Sequence, residues 1–423
     1  MTKLLNSKKL FWLYSLSAIC YYIQGFESLP SLSLFKYFKE VLMYPPEKLM
    51  MLNAIIGLAW IPKILWGICI DQFLSRKKWI TISLILDIIT VLFLGIWSLP
   101  LIMLITMMFI NSTDSAIRDV AIDGTMCIEG KKHNITGKIQ SLQWISITVA
   151  TVITGLLGGY LADHFNYRVG FLLLIPFYLL MFIPLYFYKE SKKSLTKEES
   201  CLSCKFALDC GGNDNYICEG YQIRFIKKSI KEIFKPYKEI FKNKSFLWGC
   251  LFLFLYKYSP SFGTPLSYLE RDSFKWSFQF MGILGTIASI VSIIGAMIYW
   301  KICQKINIKK WLTYSVFLGA VTTLSYLYYT PISAIVYLII YSLIGMTIHL
   351  IIMDWMAKTS IRGLEATTFA LLCGINNLSA GTASSFSGAF LYPIIGLKWL
   401  IILSALTSFI CLPIIKKLQI KET

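Results

Sequence analysis

LPLIMLITMMFINSTDSAIRDVAID, residues 99–123, decides how this chain folds. Its first half is apolar, while its second half carries Asp114, Ser115, Arg118, Asp119 and Asp123. As one helix it rises roughly 37 Å, enough to cross a hydrocarbon core of about 30 Å, so the charges fall within the membrane. At about 100° per residue, Asp114 and Arg118 share one face, and Asp119 and Asp123 share another roughly 140° away. The spacing predicts an i,i+4 ion pair between Asp114 and Arg118. The second face holds two acids and needs a cation from elsewhere, or a proton. Lys63 is the best-placed cation, because its own apolar run puts it at a similar depth.

The surrounding composition agrees with a membrane solvent. Of 423 residues, 56% are hydrophobic and 15% charged, against roughly 45–50% and 25% in soluble domains. Apolar runs of spanning length lie near 11–37, 47–70, 79–97, 99–128, 137–161 and 168–188, and again near 245–268, 276–300, 309–329, 331–357, 364–391 and 394–415. This predicts an all-α polytopic membrane protein with about 12 transmembrane helices in two six-helix halves, 1–188 and 245–423, joined by a basic loop, 189–244. The opening MTKLLNSKKL resembles the start of a signal peptide, but the apolar run continues to about Phe38 without a small-residue cleavage site. It reads as an uncleaved first span.

The net charge of +18 belongs to topology rather than to nucleic acid. Arg76, Lys77 and Lys78, then Lys131, Lys132 and Lys138, then Lys301, Lys305, Lys309 and Lys310 fall in loops on one side with both termini and the central loop. Basic loops stay in the cytosol, so both termini are expected there, in the plasma membrane or an organelle membrane. Within the central loop, YQIRFIKKSIKEIFKPYKEIFKNK (221–244) sets Ile223, Ile226, Ile230, Ile233 and Tyr237 opposite lysines. That pattern reads as an in-plane helix on the anionic cytosolic leaflet, with a solvated basic linker as the alternative. Cys201, Cys204, Cys210 and Cys218, spaced C-x2-C-x5-C-x7-C, could hold zinc. The irregular second pair and the lack of a histidine favour free thiols, and no metal or other cofactor is assigned.

Ionisable side chains inside a membrane are costly and mark functional cavities. The first half carries Glu27, Lys63, Asp87, Asp114, Arg118, Asp119 and Asp123; the second carries Lys257 near mid-span, with His349 and Asp354 further on. Span 5 begins KIQSLQWIS (138–146), with Gln143 and Trp144, and continues to GLLGG (155–159), where Gly155 and Gly159 permit close helix approach. Span 7 reads FLYKYSPSFGTP (254–265), with Pro260 and Pro265 freeing backbone groups beside Tyr256, Lys257 and Tyr258. Span 11 is rich in Asn376, Asn377, Ser379, Thr382, Ser384 and Ser385, a density more typical of a packing seam than of a ligand site.

GICIDQFLSRKK (67–78) resembles the loop signature of the major facilitator superfamily, in which Asp71 and Arg76 would form an interdomain clasp. More specifically, the chain resembles the folate–biopterin transporters of that superfamily. The likeness runs through YYIQGFESLPSLSLFKYFKE (21–40), AWIPKILWGICID (59–71), RDVAIDG (118–124), GKIQSLQW (137–144), GLLGGYLAD (155–163), FLFLYKYSPSFGT (252–264) and RGLEATTFALLCGINNLS (362–379). Lys63 stands at the lysine of a tryptophan-x-x-lysine motif, Asp119 and Asp123 at the acids of D-V-x-x-D, and Asn376 at the asparagine after G-x-E-A-T-x-F-A-L-L. Arg118, Ile64 and the polar IIMDWMAKTS (351–360) depart from the family's pattern.

The resemblance implies a major facilitator-type bundle that carries folates or pterins by alternating access, as a proton symporter rather than an enzyme. A flat pteridine would stack on Trp144, Tyr256 or Tyr258, and substrate carboxylates would meet Lys63, Arg118 or Lys257, with Gln143 and Asn376 as polar contacts. Asp119 and Asp123 repel one another and are the expected proton-coupling acids, with Glu27 as a third. Two other readings remain open: a carrier of another organic solute such as S-adenosylmethionine, and a non-transporting sensor or adaptor. Charges buried in both halves argue against the adaptor, which needs no cavity.

Overall fold

A computed structural model of the chain describes residues 2–133, 136–190, 240–302, 307–359 and 365–418. The four central-loop cysteines and the basic stretch 221–239 lie outside them. Among the described residues there is no strand, and the helices group into twelve crossings.

The first six are α1 (Thr2–Phe26) with α2 (Ser31–Lys36), α3 (Pro46–Gly57) with α4 (Lys63–Gln72), α5 (Arg76–Ile96), α6 (Leu101–His133), α7 (Thr136–His164), and α8 (Tyr167–Leu172) with α9 (Ile175–Phe187). The second six are α10 (Lys244–Lys257) with α11 (Gly263–Asp272), α12 (Phe278–Ile302), α13 (Ile308–Ser325), α14 (Pro331–Thr359), α15 (Glu365–Asn377) running into α16 (Ser384–Thr407), and the last part of α16 with α17 (Leu412–Ile415). Span 11 becomes span 12 at Gly396, whose φ of 72° and ψ of 174° break the helix. A positive φ of this kind is open to glycine at little steric cost.

Three spans break where proline removes a backbone donor and its ring clashes with the preceding turn. Pro30 ends α1 and leaves Glu27 on a turn, its N–H still bonded to the Ile23 carbonyl at 2.8 Å. Pro62 interrupts span 2, so α4 restarts at Lys63. Pro260 follows the end of α10, and residues 258–262 leave the helix. Non-helical backbone at this depth survives only when protein satisfies it. Span 11 and its successor do so. The N–H of Ser259 donates to Ser384 Oγ at 3.2 Å and that of Ser261 to the Ser384 carbonyl at 2.9 Å. The hydroxyls of Ser379 and Ser404 donate to the carbonyls of Phe254 and Pro260, each at 2.5 Å. The hydroxyl-rich seam in span 11 is thus a set of backbone partners for the broken span 7.

Two clusters of buried apolar side chains fill the molecule, one drawn from Leu13 to Tyr188 and the other from Ile240 to Leu418. They meet along two seams. On one, α7 lies against α12 so closely that a methyl on Gly282 would stand 2.2 Å from the Gly155 carbonyl oxygen, and one on Gly159 would stand 2.7 Å from that of Phe278. On the other, span 2 faces span 11: a methyl on Gly374 would stand 3.0 Å from the Ile61 carbonyl oxygen. The first seam yields a direct expectation. Gly282→Ala forces backbone apart and should cost about 1–3 kcal/mol, read as a lower midpoint of thermal unfolding in detergent. Gly285→Ala is the control, because no atom of another described segment lies within 4 Å of its added methyl.

Candidate functional site

The charges on α6 are divided between two networks. On one face the ammonium of Lys63, at the first turn of α4, donates to Asp119 Oδ2 at 2.5 Å. Both side chains are buried, at 9% and 6% exposure. A cation at a helix N-terminus faces the positive end of the helix dipole, so it needs this carboxylate. The Trp60 ring lies 4.8 Å from the same ammonium, and its indole N–H donates to Ser112 Oγ at 2.9 Å. One turn on, Asp123 accepts from the Tyr21 hydroxyl at 2.6 Å. The second charged face therefore does find its cation in span 2.

The other face corrects an expectation. Arg118 does not pair with Asp114. Its guanidinium, 1% exposed, donates to Glu27 at the break in span 1 and to Asp87 on α5. An i,i+4 pair suits a helix surface in water; here the face is packed against two other spans, each offering a carboxylate. The fork of five donors can bridge both. Glu27 also accepts from Ser115 Oγ at 2.7 Å and from the Tyr178 hydroxyl at 3.0 Å, and Asp87 from Asn111 Nδ2 at 3.1 Å.

A different environment surrounds Lys257. It occupies the last turn of α10, where the negative end of the helix dipole favours a cation. It is half-buried and has no hydrogen-bond or ion-pair partner among the described residues. The ammonium acts electrostatically on the His349 ring, and that ring meets Trp144 edge-on at 4.7 Å between centroids. Beside Trp144, Gln143 is buried, and both its Nε2 and the His349 Nε2 lack partners among the described residues. Trp144 and Gln143 come from the first half, Lys257 and His349 from the second, so this group spans the interface. His349 was legible only as a charge in span 10; its pairing with Trp144 has no sequence signal.

Other candidates are placed elsewhere. The Tyr256 hydroxyl shares a 2.6 Å hydrogen bond with Ser315, and its ring packs on the second core. Tyr258 stacks on Phe254, with centroids 6.0 Å apart. Asn376 donates to Asn377 at 3.4 Å. The Asp71 side chain lies outside the described residues. Arg76 is 4.0 Å from Glu190 at the end of span 6, a tie within the first half, and the backbone N–H groups of Arg76 and Lys77 donate to the same carboxylate at 3.1 and 3.2 Å.

At the end of the bundle remote from the termini, a polar tie joins the halves. Arg271 Nη2 reaches Glu40 at 2.5 Å, Lys39 pairs with Asp272, and the Tyr268 hydroxyl donates to the Tyr44 carbonyl. Asp163 accepts from the N–H groups of Phe278 at 3.1 Å and Gln279 at 2.7 Å, capping α12. The adjacent opposite charges Lys39-Glu40 and Arg271-Asp272 in two loops are the sequence signal for this tie.

The BT1 family's sequence profile matches residues 24–421. The folate-biopterin transporter of Synechocystis sp. is 23% identical, covering 93% of this chain and 79% of its own length. Folate transporter 1 of Plasmodium falciparum is 24% identical, with 93% and 77% covered. Among solved structures, a D-xylose-proton symporter superposes with a TM-score of 0.65 at 12% identity, over 97% of this chain and 99% of that one. The nucleoside transporter NupG gives 0.65 at 15% identity, over 98% and 100%. These neighbours share the major facilitator fold.

Proposed function

The chain belongs to the BT1 family and is a multi-pass membrane transporter of a small molecule; we propose that it carries a folate or pterin by proton-coupled alternating access. The observation behind the substrate is Lys257, a half-buried ammonium without an anionic partner among the described residues, in the half opposite Trp144. An unpaired charge partly withdrawn from water loses solvation, and a folate carboxylate offsets that loss. The pteridine offers a flat face to Trp144, with Gln143 and His349 supplying unspent polar groups. Relatives named as folate-biopterin transporters support the same class.

Coupling follows from the Lys63–Asp119 pair. With Asp119 ionised, Lys63 is engaged and cannot take a second anion. A proton on Asp119 neutralises the carboxylate and releases Lys63 to a substrate carboxylate, so the charge balance is kept. Asp123 raises the local negative charge beside Asp119 and is held by Tyr21. The halves 1–188 and 245–423 act as the moving bodies, tied at one end by Lys39, Glu40, Arg271 and Asp272. Reconstitution into liposomes with labelled pterins and folates, under an imposed pH gradient, tests the reading. Accumulation of folate or pterin dependent on the gradient is expected; uptake of neither, or of an unrelated organic solute alone, overturns it.

From the basic-loop asymmetry we propose that both termini and the 189–244 loop face the cytosol. A thiol introduced at Ser194 should stay unreactive to an impermeant reagent in intact cells and react after permeabilisation. Reaction in intact cells reverses the orientation.

A further inference from the structure

The interior of the first half holds more carboxylate than its cations neutralise. Glu27, Asp87 and Asp114 share one guanidinium, that of Arg118, which is committed to the first two. The neutral donors around the cluster are committed in the same way: Ser115 and Tyr178 to Glu27, and Asn111 to Asp87. Lys63 is engaged by Asp119. Asp114 is 4% exposed, its Oδ2 has no hydrogen-bond partner among the described residues, and its carboxyl and that of Glu27 act on one another. The groups facing the cluster are Glu27 and the Cys20 thiol from span 1, Asp87 from span 3, and the Tyr178 phenol from span 6. None of them is a second cation.

A buried carboxylate with neither counter-ion nor donor takes up a proton or binds a cation. Among the described residues no three acids, cysteines or histidines are placed to hold a metal ion, and the proton is the ion assigned here. We infer that Asp114 is a second proton-binding site, separate from Asp119 and Asp123, whose proton exchanges with the transport cavity through Glu27. Glu27 is the cluster's opening: its side chain is 15% exposed, and it lies on the turn where span 1 is broken. In a transport cycle the proton leaves Asp114 when Glu27 faces the less acidic compartment and returns from the more acidic one. Asp119 makes substrate binding conditional on protonation, and Asp114 adds one proton to each cycle so coupled; without Asp119 that proton crosses with or without substrate and drives no accumulation. The inference rests on the proton-coupled reading above.

The test is the number of protons moved per substrate, taken in liposomes from the slope of the logarithm of labelled-folate accumulation against the pH difference. Asp114→Asn should lower that slope by one and remove one protonated-carboxyl band from the infrared spectrum of the purified protein at neutral pH. An unchanged slope, an unchanged infrared spectrum, or a sodium gradient that drives uptake only when Asp114 is present each overturns the inference. Asparagine has the size and neutrality of the protonated acid, so failure of Asp114→Asn to fold also counts against it. Should the wild type accumulate no folate, the transport reading fails separately, and the infrared comparison alone decides Asp114.

Discussion

Asp119→Asn is expected to abolish accumulation driven by a pH gradient while preserving exchange of substrate for substrate. The amide has nearly the shape of the carboxyl but carries no charge and binds no proton. Lys63, held by Asp119 at 2.5 Å in the wild type, is then free in every state of the cycle. Substrate binds whether or not a proton is present, so the gradient no longer biases its distribution. Counterflow, in which unlabelled substrate inside draws labelled substrate inward, needs only that the loaded carrier reorients, and it should continue. The two assays on one preparation separate loss of coupling from loss of folding. If the variant still concentrates substrate under the gradient, Asp119 does not carry the coupling, and Glu27 is the acid to replace next.

Lys257→Gln should weaken folate binding roughly ten- to a hundredfold, because a hydrogen bond to a charged group contributes about 1.5–3 kcal/mol. Glutamine keeps a polar donor and most of the side-chain length, so the lost quantity is the charge. An uncharged pterin, which offers Lys257 no carboxylate, should lose much less. The comparison decides between recognition and architecture. Lys257 ends α10 at the break of span 7, and if its role were to stabilise that helix end, both substrates would suffer equally. Competition of unlabelled folate and pterin against labelled uptake measures both from the same vesicles.

The fold and several of its contacts follow from local rules that a sequence exposes. Apolar runs of spanning length, their separation by basic loops, and prolines within spans 1, 2 and 7 depend only on the chain's own neighbours and on the lipid solvent. Gly155 and Gly159 announce a close approach because a missing side chain is visible in any sequence. That Lys63 would answer Asp119 was legible too, since depth along a straight span is a one-dimensional quantity and the two lie at matching depths. Interior charge by itself marked α6 as the wall of something polar.

What the tertiary structure alone decided is which face meets which neighbour. Arg118 shares a helix with Asp114, and sequence spacing sees only that partner; packing against spans 1 and 3 brings Glu27 and Asp87 to the guanidinium instead and leaves Asp114 alone. Trp144 and His349 lie far apart along the chain and touch because the halves close on one another. Tyr256, adjacent to Lys257, turns toward Ser315 because successive helical residues point about 100° apart. A sequence records depth and periodicity, but the rotation of each helix about its axis is set by side chains from other spans, and it is that rotation which separates paired charges from unpaired ones.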